Sequence, residues 1–152
     1  MKHIVYAFLL ALVGYILVYQ VIEYRRTRNG PWQVSFARSP AGEPALVVNQ
    51  PKLGITNVQV CFAGTGISPA ANGPTLLFRQ PQPVPFDVPF GKCVFMDTTG
   101  LPGTITFELF GHQVELLPRI LIIDRKEHPW RPHSTIALPR AKAAPEAGRP
   151  KT

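Results

Sequence analysis

Seventeen prolines are spread through the chain from Pro31 to Pro150. Proline has no backbone N–H, and its ring clashes with the helical turn before it. It also pushes the preceding residue toward extended conformations. Proline at this density argues against long helices anywhere but at the N-terminus, before Pro31.

Those first residues form one apolar block. Residues 4–22, IVYAFLLALVGYILVYQVI, contain one amide, Gln20, and no charge. As a helix the block spans about 28 Å, which matches the hydrocarbon core of a bilayer. Tyr6 and Tyr24 lie near its ends, where interfacial aromatics belong. EYRRTRNGP then stops the run. A cleaved signal peptide would need a shorter apolar stretch and a small-x-small site. Gln20, Ile22, Tyr24 and Arg26 stand where small residues would be wanted, so the block reads as an uncleaved signal-anchor, single-pass. Ala7, Ala11, Gly14 and Val18 share one helical face that would admit a second helix. Arg25, Arg26 and Arg28 against Lys2 and the α-amino group favour a cytoplasmic domain by about one charge, whereas a chain that begins with Lys2 and an apolar segment resembles an export anchor with everything after it translocated. The reading leans toward an extracytoplasmic domain.

After NGP the periodicity changes from helical to alternating. Val34 and Phe36 alternate with Gln33 and Ser35, and Val58, Val60 and Phe62 with Asn57, Gln59 and Cys61. ALVVNQ, TLLF, TITFELF, QVELLPRILIID and STIAL add further segments, separated by Gly- and Pro-rich turns. The pattern predicts a mainly β fold: an N-terminal transmembrane helix, then a small antiparallel β-sandwich or partly open barrel of about seven to nine strands. Residues 1–28 form the anchor with its basic flank, 29–138 the antiparallel β-domain and 139–152 a disordered basic tail.

Within RQPQPVPFDVPF, residues 79–90, Pro81, Pro83, Pro85 and Pro89 share one parity, while Val84, Phe86, Val88 and Phe90 share the other. In a strand this places the missing donors along one lateral edge and the apolar side chains on one face. The segment therefore reads as an edge strand blocked against further pairing.

The net charge of +7 is uneven: residues 30–124 carry −1, whereas residues 125–152 carry +5. A near-neutral domain argues against nucleic acid as a partner. The tail can contact anionic lipid or an acidic partner.

Chemistry-bearing residues are few. FELFGHQVEL reads as a hairpin with Gly111-His112 at its turn, which would set Glu108 opposite Glu115. Such a pair could do acid–base work or hold a hard cation, but it reads more simply as two solvated glutamates. DRKEHPWRPH gathers Asp124, Glu127, His128 and His133, with His112 elsewhere. No cysteine pair precedes them, so no metal site is assigned. In this segment Trp130 reads as a cap on the core. GTGISP has Pro69 where a phosphate loop wants glycine, and no G-x-S-x-G is present. Cys61 and Cys93 could pair if the domain is exported. No catalytic residue, cofactor or metal is assigned. The chain reads as a membrane-anchored, non-catalytic β-domain acting in protein interaction or assembly at the membrane. The alternative is a tethered small-molecule or metal-binding domain, and an enzyme is third. A concave apolar pocket would favour binding, a flat patch assembly.

Overall fold

A computed structural model describes residues 2–66 and 72–140. Helix α1 covers Lys2–Thr27, is long and apolar enough to cross a membrane, and buries no residue against the rest of the chain. The strands follow as β1 (Gln33–Arg38), β2 (Pro44–Gln50), β3 (Ile55–Phe62), β4 (Asn72–Leu77), β5 (Phe86–Val88), β6 (Gly91–Asp97), β7 (Thr104–Leu109), β8 (His112–Leu116), β9 (Ile120–Ile123), β10 (Lys126–Pro129) and β11 (Thr135–Leu138). A 3-10 turn, Pro51–Leu53, links β2 to β3.

Two open sheets face each other. One has five strands in the order β11-β3-β2-β1-β4, the other six in the order β10-β9-β8-β7-β6-β5. Neither closes on itself, so the fold is the sandwich rather than the barrel. The alternating positions read from the sequence face inward: Val34 and Phe36 from β1, Val58, Val60 and Phe62 from β3, and Ile105, Phe107 and Leu109 from β7. Aromatic rings cross the core in a chain. Phe78 meets Phe107 at 5.7 Å, Phe107 meets Phe36 at 6.3 Å, and Phe36 meets Phe90 at 5.5 Å, all edge to face. Phe90 stacks on Phe110 at 5.3 Å, and Phe110 meets Phe62 at 5.3 Å. Edge-to-face pairs suit the ring quadrupole and add to the burial itself. Trp130 does cap the core, its ring 5.4 Å from the fully buried Trp32.

Three expectations are corrected. The described strands outnumber the expected seven to nine, because short β5 and charged β10 (KEHP) carry too little alternation to be read. The domain is not wholly antiparallel: β11 runs parallel to β3. The chain crosses there from β10, an edge of one sheet, to an edge of the other. The bonds His133 N–H to Thr56 O and Gln59 N–H to Ser134 O start β11 at the same end as β3. Finally, the proline comb is not itself a strand. Residues 79–85 are an exposed crossover between edge strands β4 and β5, and only Phe86–Val88 pairs, with Gly91–Cys93 of β6.

The edge protection that the comb suggested is spread over the fold. The four outer strands are β11, β4, β10 and β5. Pro74 lies inside β4, Pro129 ends β10, Pro85 and Pro89 flank β5, and Pro139 follows β11. Among the inner strands proline occurs only at the first position of β2, Pro44. Proline can sit where a ladder ends but not where it must continue.

The helix joins the sandwich without a linker. Helical C-termini leave carbonyls without partners, and the domain supplies donors for them. Leu101 N–H bonds Arg26 O at 2.8 Å, and Lys52 Nζ bonds Arg28 O at 2.8 Å. Gln50, 1 % exposed, turns its amide Nε2 toward the carbonyls of Asn29, Gly30 and Pro31 at 2.8, 2.9 and 3.1 Å. Its Oε1 accepts Lys52 N–H at 3.1 Å. The end of the sandwich holding Gln50, Leu101 and Trp32 is thus the helix end. The turns after β1, β7 and β9 lie at the far end.

Gln50→Met keeps the volume and strands these buried polar groups. The full chain should lose about 1–3 kcal/mol of stability, measured by urea unfolding with tryptophan emission. A midpoint equal to wild type would mean that the amide does not hold the junction.

Candidate functional site

The far end carries the densest polar chemistry among the described residues, and two tight turns build it. Leu109 pairs with His112 across the β7–β8 turn, and Ile123 with Lys126 across the β9–β10 turn. The central pairs, Phe110-Gly111 and Asp124-Arg125, all have positive φ, between 49° and 81°. This is the I′ geometry whose twist matches a hairpin. Phe110 is an unusual residue for it, but its ring is held between Phe62 and Phe90. Because β8 and β9 are neighbours, the two turns lie side by side.

His112 begins β8 with its side chain inward, on the parity of Val114 and Leu116, and is 6 % exposed. Its Nδ1 lies 2.6 Å from Asp124 Oδ2, and its Nε2 lies 2.8 Å from the carbonyl of Pro139, just beyond β11. A carbonyl can only accept, so Nε2 carries a proton. Asp124 Oδ1 accepts Gln113 N–H at 2.9 Å, and Asp124 N–H bonds Gln113 O at 2.9 Å. Burial alone would raise the Asp124 pKa. The bonds from His112 and Gln113, with the charges of His112 and Lys126, outweigh it and hold the carboxyl below its ordinary range. The imidazole therefore clasps the two sheets together where β11 leaves the sandwich.

Beside the clasp is an open cavity of about 500 Å³ lined by Glu108, Gly111, His112, Gln113, Asp124 and Arg125. It is polar and shallow. A general base needs a free ring nitrogen to take a proton, and both nitrogens of His112 are engaged. The arrangement suits a structural clasp better than acid–base catalysis.

The candidate residues fall as follows. Glu108 and Glu115 are not opposed: Glu108 pairs with Gln113 and Glu115 with Thr106. The turn is centred on Phe110-Gly111 rather than Gly111-His112, which shifts the register while keeping the apolar parity. Glu108 instead faces Lys92, which in turn faces Asp87, so charges alternate across β7, β6 and β5. Of the proposed metal-type residues, Asp124 and His112 meet, whereas Glu127 and His128 lie on β10 and His133 follows it. No group of three His, Cys, Asp or Glu side chains among the described residues could hold a metal ion. Residues 67–71, with the end of GTGISP, and residues 141–152 of the tail lie outside the described residues.

Cys61 and Cys93 are free and buried. They belong to different sheets, and Cys61 lies on the outer parity of β3, away from the core that contains Cys93. Burial raises both thiols, that of Cys93 to about 11 and that of Cys61 with help from the Glu43 charge, against a bond from Ser39. Neither is poised as a nucleophile. Comparison with protein-family models, curated proteins and solved structures finds no match.

A carboxyl held below its ordinary pKa stabilises the fold above its unfolded pKa, and that contribution is lost as pH falls through the folded value. The far end should therefore weaken below about pH 4. Urea midpoints measured from pH 6 down to pH 2 should drop less steeply for Asp124→Asn than for wild type. Parallel profiles would show that the carboxylate is not part of the clasp.

Proposed function

We propose that the protein is a single-pass membrane protein whose β-domain is a non-catalytic contact module for another protein. One observation carries this reading: the side chains that cross the middle of the five-stranded sheet's outer face are uncharged, and the nearest charge, Glu43, sits toward the far end beside Cys61. A continuous row of Thr135, Gln59, Val47, Ser35 and Thr75 crosses all five strands. Gln33 and Asn49 pair beside it. Ser35 Oγ and Thr75 Oγ1 share a hydrogen bond of 2.8 Å. Depletion of charge marks the centre of a protein interface, whereas an ordinary solvated face mixes charges of both signs. The prolines at the sheet edges disfavour strand addition, which leaves the face as the means of contact.

The anchor supports the same reading. Helix α1 exposes its apolar side chains along its whole length, including Phe8 at 68 % and Leu10 at 76 %. Such a surface is compatible with lipid and costly in water. A tethered receptor for small molecules would show a concave, mostly apolar pocket, and the cavity of about 500 Å³ at the far end is instead polar and shallow.

Two measurements test the proposal. The chain should remain in the membrane fraction after alkaline carbonate extraction. A photo-crosslinking side chain at Gln59 should give discrete protein adducts in native membranes, and one at Glu127 on the opposite sheet should not. Carbonate release would remove the anchor, and equal labelling at both positions would remove the contact face.

A further inference from the structure

The near-neutral charge of the domain conceals a division along its length. At the helix end α1 contributes Arg25, Arg26 and Arg28. Loops and turns reaching the same end contribute Lys52, Arg79, Arg119 and Arg131. Acidic groups there are Glu23, which pairs with Arg26 at 2.9 Å, Asp97 at the end of β6, and Glu115 near the end of β8. At the far end, basic and acidic residues balance: Arg38 and Glu43 flank the β1–β2 turn, Lys92 lies between Asp87 and Glu108, and Asp124 and Glu127 bracket Arg125 and Lys126.

The junction holds this basic end at one height. Leu101 N–H bonds Arg26 O, only four residues beyond Ile22. At 1.5 Å per residue the domain begins about 6 Å past the apolar block, and the headgroup layer of one leaflet is about 5–7 Å deep. With the apolar block in the hydrocarbon core, the basic end would lie in the headgroup layer. An open cavity of about 360 Å³ lies there, lined by Arg26, Thr27, Gly30, Pro31, Arg79 and Leu101, with Gln80 at its side. Glu23 braces Arg26 through Nε and Nη2 at 3.1 and 2.9 Å, leaving other guanidinium protons free. Arg26 also borders a second recess with Asp97 and Thr98. Thr98 is 2 % exposed, and its hydroxyl has no hydrogen-bond partner among the described residues.

Resting on the anchored reading above, we propose that the helix end of the β-domain is a binding surface for anionic phospholipid, with the cavity between Arg26 and Arg79 seating one headgroup phosphate. Arginine suits the role because its planar fork matches phosphate oxygens. The tail starts at the far end, beyond Pro139, so it is these residues that meet the bilayer first.

The test uses the full chain reconstituted into phosphatidylcholine bilayers with trace spin-labelled phosphatidylglycerol or phosphatidylcholine, reading the motionally restricted fraction of each. Wild type should restrict phosphatidylglycerol several-fold more strongly. Arg79→Gln should reduce that preference by about fivefold, the effect of one charge at a membrane surface. Arg140→Gln makes the same change in net charge at the far end and should leave the preference intact. Salt should weaken the preference in wild type without any substitution. Equal restriction of the two lipids by an inserted wild-type chain would overturn this inference alone, as would an equal effect of the two substitutions. A chain that restricts neither lipid and leaves the bilayer under alkaline carbonate would overturn the anchor itself.

Discussion

Phe36 and Phe107 meet edge to face between the two sheets, 6.3 Å apart and almost fully buried, and the rest of the sandwich is arranged around that contact. No described strand exceeds eight residues, so none of these hairpins could stand alone in water. Among the described residues no α-helix covers either sheet, and the density of prolines after Pro31 disfavours a long one. Each sheet's inner face must be covered by the other's. Edges then become the weak point, since short strands that rely on facing contact could equally pair outward. Proline at or beside each outer strand answers this at the positions where it does least harm to the ladders.

This logic explains what was legible in the sequence. Period-two alternation locates β1, β3 and β7 because one of their faces is buried. Within QVELLPRILIID, Pro118 lies between β8 and β9, where the ladder must break for the turn. Parity survives even where register does not. The two possible turns of FELFGHQVEL keep Phe107, Leu109 and Val114 on one face, so the apolar pattern cannot choose between them. Packing chooses, through Phe110, whose ring between Phe62 and Phe90 holds a backbone conformation that local propensity would deny it. The comb misled for a related reason. Its parity suits a strand, but the chain needs those residues to pass from one sheet to the other, and only Phe86–Val88 reaches a partner.

The clasp was harder to see. His112 looked like a turn residue and Asp124 like one acid in a charged run. The one available signal was alternation: with the turn moved back by one residue, His112 takes the inward parity of Val114 and Leu116 and becomes a polar group that must be satisfied. Its partner on the other sheet is a backbone carbonyl, which no residue type announces. That bond means that β11, though only four residues long, is held at its exit as well as along β3.

Charge shows the same limit from the opposite direction. Summed along residues 30–124, the acidic and basic groups nearly cancel, and the sum hides how they are arranged in space. Strands that run back and forth deliver alternate loops to opposite ends, so neighbours in sequence separate in space. Lys52 and Arg79 go to the helix end, and Asp87 and Glu108 to the other. The division has physical consequences only because the helix is joined rigidly. On a flexible linker the domain would tumble and present all its ends to the bilayer. With Gln50 binding three successive carbonyls and Lys52 and Leu101 binding two more, rotation would break buried hydrogen bonds. A single buried amide thus fixes which end of a domain of little net charge stands beside the apolar helix, and that end is the basic one.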